Sequence, residues 1–167
     1  MNKINKEFVE DILQLGADVK PADFEKYINE ALDFDLRHKL NNDQLYIDIL
    51  DDNNSRFDLS KILNPHRYEA NKQKKFHNGL KKAWAYYAYS RFVFKANVRS
   101  NAFGFVKKNS QDSEPISLEE KKNLFNHYQN LGNSIMNDVL FFINHNYYNQ
   151  HCQPINKRNI FKTTTIK

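Results

Sequence analysis

The sequence has little of what marks disulfide-rich, membrane-spanning or turn-rich proteins. Its single cysteine, Cys152, excludes an internal disulfide framework and fits a reducing compartment. The longest aliphatic or Phe run covers only residues 139–143, far short of the roughly 20 residues that a membrane helix needs. Residues 1–11 are charged and hold no apolar core, so we expect no secretory signal. Only four Gly and four Pro occur, which argues against a turn-dense all-β sandwich or barrel.

The sequence does contain enough apolar material for one core, together with an uneven charge. Hydrophobic residues make up 40% and aromatic residues 14% of the 167 positions, a length typical of one domain. Residues 1–70 hold 9 Lys/Arg and 15 Asp/Glu, a net charge of −6. Residues 71–167 hold 16 and 5, a net charge of +11. The overall charge of +5 therefore combines an acidic first part with a basic second part.

Apolar residues at helical spacing predict several helices, and capping residues and breakers set their ends. Asp23 is the expected N-cap of the second helix, and Asn41 and Asn42 are expected to end it. The basic stretch 66–78 is predicted to be irregular. The predicted helices of this first part cover residues 4–15, 22–40, 43–50, 57–63 and 79–96.

The last third of the chain predicts a hairpin, a long helix and a tail. Residues 98–109 are rich in Val and Phe around a glycine, which favours a short β-hairpin or extended arm. Ser117 and Glu120 form a capping box at the start of a helix with a wide apolar face, which we expect to be the spine of the core. The predicted fold is mainly α: a small helical bundle with this hairpin and an extended C-terminal tail. The predicted parts are an N-terminal segment 1–21, a helical domain 22–150 and the tail 151–167.

The sequence contains no recognisable catalytic motif or metal-ligand spacing. His145, His151 and Cys152 form the only metal-like cluster, with no second cysteine or nearby carboxylate to support it. Asp33 and Asp35 are two residues apart on a predicted helix, so they do not face each other. We therefore expect no enzymatic activity, no cofactor and no bound metal.

Residues 61–108 carry 12 Lys/Arg and one acidic residue, with aromatic residues interleaved. A nucleic-acid-binding protein uses such a mixture, with cations for phosphates and rings for stacking. The spacing of Trp84, Tyr87 and Phe92 favours instead a solvated basic face over an aromatic core. An acidic protein partner would explain the charge equally well. A DNA-binding accessory protein that uses residues 61–108 is the alternative function.

A stripe of amides runs along the last predicted helix. Between residues 123 and 146 the only charged side chain is Asp138, whereas free helix surfaces usually carry mixed charge. An amide face can pack against another subunit without burying ions. Codon drift toward Asn in an AT-rich genome is the other explanation, because the chain holds 23 Asn. The stripe consists of Asn123, Asn126, Asn130, Asn133 and Asn137, and the last four are the predicted subunit interface.

Three segments, in this order, resemble a known group of proteins. Residues 22–50 contain ADFEKYINEALDFDLRHKL followed by LYIDIL, residues 79–91 read GLKKAWAYYAYSR, and residues 98–115 read VRSNAFGFVKKNSQDSEP. With the long last helix, these are similar to the head–tail connector (adaptor) proteins of tailed bacteriophages, in the version of crAss-like and other Bacteroidetes phages. The likeness covers about residues 22–146 and includes no active-site motif.

The resemblance implies a non-enzymatic virion protein at the portal vertex, assembled in the host cytoplasm. Its protomer would be a small helical bundle that forms a ring, usually of about twelve copies, beneath the portal. The implied partners are further copies of the chain, the portal protein, the next tail or ring protein and the genomic DNA in the channel, with no membrane contact.

The resemblance also implies two contact segments. A C-terminal tail would lie on the portal, where its β-branched residues suit strand addition and its cations suit an acidic surface. A hairpin would face the next tail component. The portal-contacting residues are Ile155, Lys157, Arg158, Ile160, Phe161, Lys162, Thr164 and Ile166. The hairpin residues are Arg99, Phe103, Phe105, Lys107 and Lys108.

Overall fold

The structure is a computed structural model, which describes residues 3–16, 19–51, 57–95, 98–101, 104–107 and 117–148. These residues form a mainly α-helical fold with two small hairpins, which confirms the predicted class. The second helix is continuous, because a π-helical segment, Ala31–Leu36, joins α2 to α3. A π-helical turn, Asn144–Tyr148, follows the last helix. The α-helices are α1 (Lys6–Glu10), α2 (Pro21–Glu30), α3 (Arg37–Leu40), α4 (Asp43–Asp51), α5 (Leu59–Leu63), α6 (Leu80–Lys95) and α7 (Leu118–Ile143).

The centre of the fold is α6, and none of its residues 80–94 is exposed. It packs most extensively on α7, and also on α1, α2, α5 and the π-helical segment. The indole N–H of Trp84 donates a 2.8 Å hydrogen bond to the carbonyl of Ile28, which ties α6 to α2. The prediction that the last helix is the spine is wrong. Since α7 leaves Leu124 and Leu131 more than one-third exposed, it lies at the side and buries one face only.

The helix ends follow the predicted capping in part. The Ser117 hydroxyl accepts from the Glu120 amide at 3.1 Å and the Glu120 carboxylate from the Ser117 amide at 2.7 Å, which confirms the capping box. Asn41 ends α3 in the left-handed conformation, with φ 45°. The prediction that Asp23 is an N-cap is wrong, because Pro21 is already helical. A proline has no N–H to leave unpaired at this position, and Asp23 instead lies in the first turn at the positive end of the helix dipole.

Residues 66–78, predicted to be irregular, mostly form an antiparallel hairpin. Strands β1 (His66–Ala70) and β2 (Gln73–His77) pair with His66 opposite His77. Asn71 and Lys72 connect them with φ of 53° and 63°, the positive pair that a tight two-residue hairpin turn requires. His77 is fully buried, so the inward face of this hairpin belongs to the core.

The hairpin predicted within residues 98–109 is confirmed. Strands β3 (Val98–Asn101) and β4 (Gly104–Lys107) pair antiparallel, with Val98 opposite Lys107 and Asn101 opposite Gly104. This hairpin follows α6 along the chain and precedes α7. The fold thus carries one hairpin before its central helix and one after it.

The two long helices meet where Gly132 of α7 faces the ring of Tyr87 on α6. A Cβ atom at position 132 would lie 2.6 Å from Cε1 of that ring, closer than side-chain packing allows. The ring is fully buried, and its hydroxyl donates a 3.0 Å hydrogen bond to Oδ1 of Asn133. It is therefore held from both ends and cannot move aside easily.

We expect Gly132→Ala to lower the free energy of unfolding by about 1–3 kcal/mol, because the added methyl group overpacks this contact. Helix propensity alone would raise the free energy of unfolding by about 1 kcal/mol when Ala replaces Gly. A decrease would therefore identify the clash. Urea unfolding followed by circular dichroism measures it. Ser134→Ala, on an exposed position of the same helix, is the control and should stay within about 0.5 kcal/mol of the native protein. Equal stability of Gly132→Ala and the native protein would contradict this account.

Candidate assembly interface

The predicted interface residues lie along one stretch of α7. Asn126, Asn130 and Asn137 are exposed, and Asn133 is half-buried because its side-chain oxygen accepts the hydrogen bond from Tyr87. Their amides are therefore largely available on the surface of the helix. Whether a second copy covers them stays a prediction.

The two contact segments predicted from the resemblance are described only in part. In the β3–β4 hairpin, Arg99 pairs with Val106 and Phe105 with Ser100 along the backbone. Phe103 and Lys108 lie outside the described residues, as does the whole predicted tail from Ile155 to Ile166.

Some acidic residues of the first part of the sequence pair with basic residues of the second part within the chain. Nε of Arg91 on α6 lies 2.6 Å from Oδ2 of Asp35, and its Nη1 lies 3.6 Å from Oε2 of Glu30. Lys95, one turn later on α6, also pairs with Glu30. Gln129 of α7 donates to Oδ1 of Asp35 at 3.3 Å, so the network links α2, the π-helical segment, α6 and α7. These four charged side chains are therefore engaged inside one protomer.

The π-helical segment presents neighbouring side chains in opposite directions. Asp35 is buried against Arg91, whereas the side chain of Phe34 is 66% exposed. The guanidinium carbon of Arg91 lies 5.4 Å from the centroid of the Phe34 ring, which fixes one side of the ring by a cation–π contact. Asp33 accepts a 2.7 Å hydrogen bond from the hydroxyl of Tyr46. Burial, with this hydrogen bond, raises the pKa of Tyr46 to about 12.

A cleft of about 330 Å³ separates α3 from α7. Leu140 and the buried Met136 form its apolar part, and Asn133 and Asn137 supply amides. The ammonium of Lys39, the fifth lining residue, lies 5.5 Å from the centroid of the Tyr87 ring. Half of the predicted interface residues thus belong to a concave site, and Lys39 is a member that the sequence pattern did not identify. We call this site the Lys39 cleft.

An aromatic cluster attaches the β1–β2 hairpin to the end of α7. The His77 ring lies 4.7 Å from that of Phe142, centroid to centroid, and Tyr68 lies 4.9 Å from the same phenyl ring. Nδ1 of His77 accepts a 3.1 Å hydrogen bond from the amide of Gly79. Burial, assisted by the charge of His66, lowers the pKa of His77 to about 4, so the ring is neutral at physiological pH.

The rings of the basic segment belong largely to the core. Trp84 and Tyr87 are fully buried, and Phe92 packs edge-on against Phe24 and Tyr27 at 5.4 and 5.7 Å. Trp84 and Tyr87 cannot stack on nucleotide bases in this conformation, which favours the core interpretation of these rings. Within the described parts of the chain, no three His, Cys, Asp or Glu side chains are grouped as metal ligands.

Residues 37–159 match a family described as "Family of unknown function (DUF6712)". This is 123 of the 167 residues, well over half of the chain. The chain belongs to the DUF6712 family. Neither a curated protein nor a solved structure matches it. The DUF6712 region begins at α3 and includes both hairpins, α6, α7 and the Lys39 cleft, whereas α1, α2 and the π-helical segment precede it. No helix in the described ranges is long and apolar enough to span a bilayer.

The buried His77 predicts that the free energy of unfolding of this chain depends on pH. Its pKa is lower in the folded chain than the ordinary value of 6.5, so the unfolded chain binds a proton that the folded chain excludes until about pH 4. The stability that this group contributes is complete above pH 6.5 and is lost as the pH falls through this window. We expect the loss to be about 2–3 kcal/mol.

The variant His77→Asn, which keeps an acceptor for the Gly79 amide, should lack this part of the pH dependence while being less stable at neutral pH. Urea unfolding at a series of pH values measures how steeply the free energy of unfolding changes with pH in the native chain and in His77→Asn. His38→Asn, at an exposed histidine, should keep the native slope. If His77→Asn retained the full native slope, the buried imidazole would not be its source.

Proposed function

We propose that this chain is a structural subunit of the head–tail connector of a tailed bacteriophage, a ring between portal and tail through which the DNA passes. The observation that supports it most is the order of its elements. The three segments that resemble connector proteins contain α2 to α4, α6 and the β3–β4 hairpin, and the long α7 follows them. A hairpin between the central helix and the long last helix suits a contact with a further ring or tail protein.

The ring would be held together by contacts between two different faces of neighbouring copies. A face of exposed amides on α7, with Asp138 as the only charge between residues 123 and 146, can lie against a neighbour without ion desolvation. Opposite charges of the acidic and basic parts that are not paired within the protomer would add to this contact. Each exposed ion pair contributes only about 0–1 kcal/mol, so the ring would depend on repetition and on apolar contacts.

A DNA-binding accessory protein remains the second candidate, and the 12 cations of residues 61–108 favour it. A gel shift titrated with salt separates the two functions, because phosphate contacts give a steep dependence on salt concentration. Tight binding to free DNA with such a slope, and no complex with a portal, would favour the accessory protein.

The portal contact of the tail is tested by deletion of residues 155–167. We expect the truncated chain to bind the portal at least about 100-fold more weakly, because the strand-forming residues and cations that would contact the portal are removed. Electron microscopy of full-length protein mixed with its portal, together with a pull-down of both proteins, measures the effect.

The truncated chain must keep the native circular dichroism spectrum for the comparison to be valid. Portal binding that survives the deletion would remove the tail from the contact. A full-length chain that forms neither a ring nor a portal complex would overturn the connector proposal itself.

The β3–β4 hairpin is tested by charge reversal. Lys107→Glu together with Lys108→Glu should impair attachment of the next tail component, because it converts the basic end of the hairpin segment to an acidic one. Portal binding should be unchanged. The matched control is Lys72→Glu with Lys74→Glu, two exposed cations of the β1–β2 hairpin. If the control impaired tail attachment and the first variant did not, the assignment of the two hairpins would be wrong.

A further inference from the structure

The ring of Phe34 is a fixed projection on the surface. No other large hydrophobic side chain among the described residues is as exposed. Single exposed apolar residues are ordinary, so exposure alone carries no conclusion. Phe34, however, is held against the guanidinium of Arg91, which Asp35 and Glu30 fix in turn. The position of this ring is therefore set by a half-buried network before any partner binds.

The residue before Phe34 in the chain, Asp33, also carries a charge. Asp33 accepts the hydrogen bond of Tyr46, and no cation of the described residues lies within salt-bridge distance of it. Glu30 and Asp35, on either side along the helix, are both paired with cations of α6. The surface at Phe34 thus combines an apolar ring with one negative charge.

The Lys39 cleft has the complementary properties. The half-buried Leu140 and, beneath it, the buried Met136 form its apolar part, and its volume of about 330 Å³ is sufficient for one phenyl ring. Lys39 lies over Tyr87, and no carboxylate in the described ranges is within salt-bridge distance of its ammonium. The cleft therefore offers a concave, partly apolar surface with one positive charge beside it.

We propose that Phe34 of one copy inserts into the Lys39 cleft of the next copy, with Asp33 pairing with Lys39 of that neighbour. The proposal rests on the proposed ring and identifies the contact that joins its subunits. Phe34 packs on α6, whereas the cleft lies between α3 and α7, so the contact uses two different patches. Such a heterologous contact propagates from copy to copy and closes into a ring when the rotation permits.

The experiment removes each half of the contact separately. Phe34→Ala deletes the ring and leaves the cleft, and Asn137→Trp fills the cleft and leaves the ring. Both positions are exposed, so both variants should fold, which circular dichroism checks. Sedimentation velocity and native mass spectrometry over a range of concentrations should show self-association of the native chain. Each variant alone should associate at least about tenfold more weakly.

An equimolar mixture of the two variants gives the sharpest result. Asn137→Trp supplies Phe34 and Phe34→Ala supplies an open cleft, so the mixture should form heterodimers and nothing larger. Phe76→Ala removes another exposed phenyl ring, and Asn123→Trp introduces the same indole about 21 Å away along α7. Both controls should associate like the native chain.

The charge is tested with a pair of lysines that each lie over a tyrosine ring. Lys39→Met should weaken self-association severalfold, and the effect should shrink at high salt because the contact with Asp33 is electrostatic. Lys26→Met removes the same charge and the same kind of ring contact, 4.9 Å from the Tyr27 centroid, at a site away from the cleft. It should have no effect on association.

A native chain that stays monomeric at every concentration, single variants that associate normally, or a mixture without heterodimers would each overturn this inference. Portal binding by the native chain in any of these cases would leave the connector proposal standing. Conversely, self-association through Phe34 and the cleft with no affinity for a portal would support the inference and count against the connector.

Discussion

The contact between the Tyr87 ring and Gly132 sets the distance between the two long helices, and the remaining surface features depend on it. The close approach brings α7 near enough for the Tyr87 hydroxyl to bond Asn133, while the same ring lies below the ammonium of Lys39. Burial raises the pKa of Tyr87, so the phenol stays a neutral donor. One core side chain thus supports the polar wall and the cation of the Lys39 cleft.

One turn further along α6, the same helix pair supports the surface at Phe34. Ser90 donates to the carbonyl of Tyr87 at 2.7 Å and accepts from Gln129 at 3.0 Å, and Gln129 also reaches Asp35. Asp35 orients Arg91, against which Phe34 packs. A half-buried network of this kind contributes little net stability compared with apolar packing, but it gives the π-helical segment one preferred arrangement. The cleft and the projecting ring are therefore coupled through a common core.

Much of the fold follows from local sequence signals. The capping box at Ser117, the break at Asn41 and the hairpin around Gly104 are each fixed by a few neighbouring residues, and each is confirmed. The β1–β2 hairpin escaped prediction because its turn, Asn71-Lys72, contains no glycine. Its most buried residue is a histidine, His77, which apolar periodicity does not count.

The central position of α6 and the π-helical segment could not be predicted for a different reason. Lys81, Lys82 and Arg91 make α6 resemble a surface helix. Lys81 and Lys82 are nevertheless half-buried, as long side chains with apolar stems can be, and Arg91 is paired with Asp35 and Glu30 inside the protomer. A π-helical segment has no sequence signature, because it depends on the hydrogen-bonding and packing of the finished fold. The candidate site likewise has a part that the sequence predicts and a part that it does not. The amides of α7 form a periodic stripe that the sequence shows directly. Lys39 and Phe34 could not be identified in this way, because their surface positions depend on tertiary contacts.

The groups with shifted pKa values serve the architecture of the fold itself. Among the described residues, shifted pKa values belong to core tyrosines, to the buried His77 and to capping residues such as Asp58 and Glu120. These groups fix helix ends and a hairpin, whereas the Lys39 cleft presents a cation, two amides and the side chain of Leu140, groups that suit the proposed contact with a second copy.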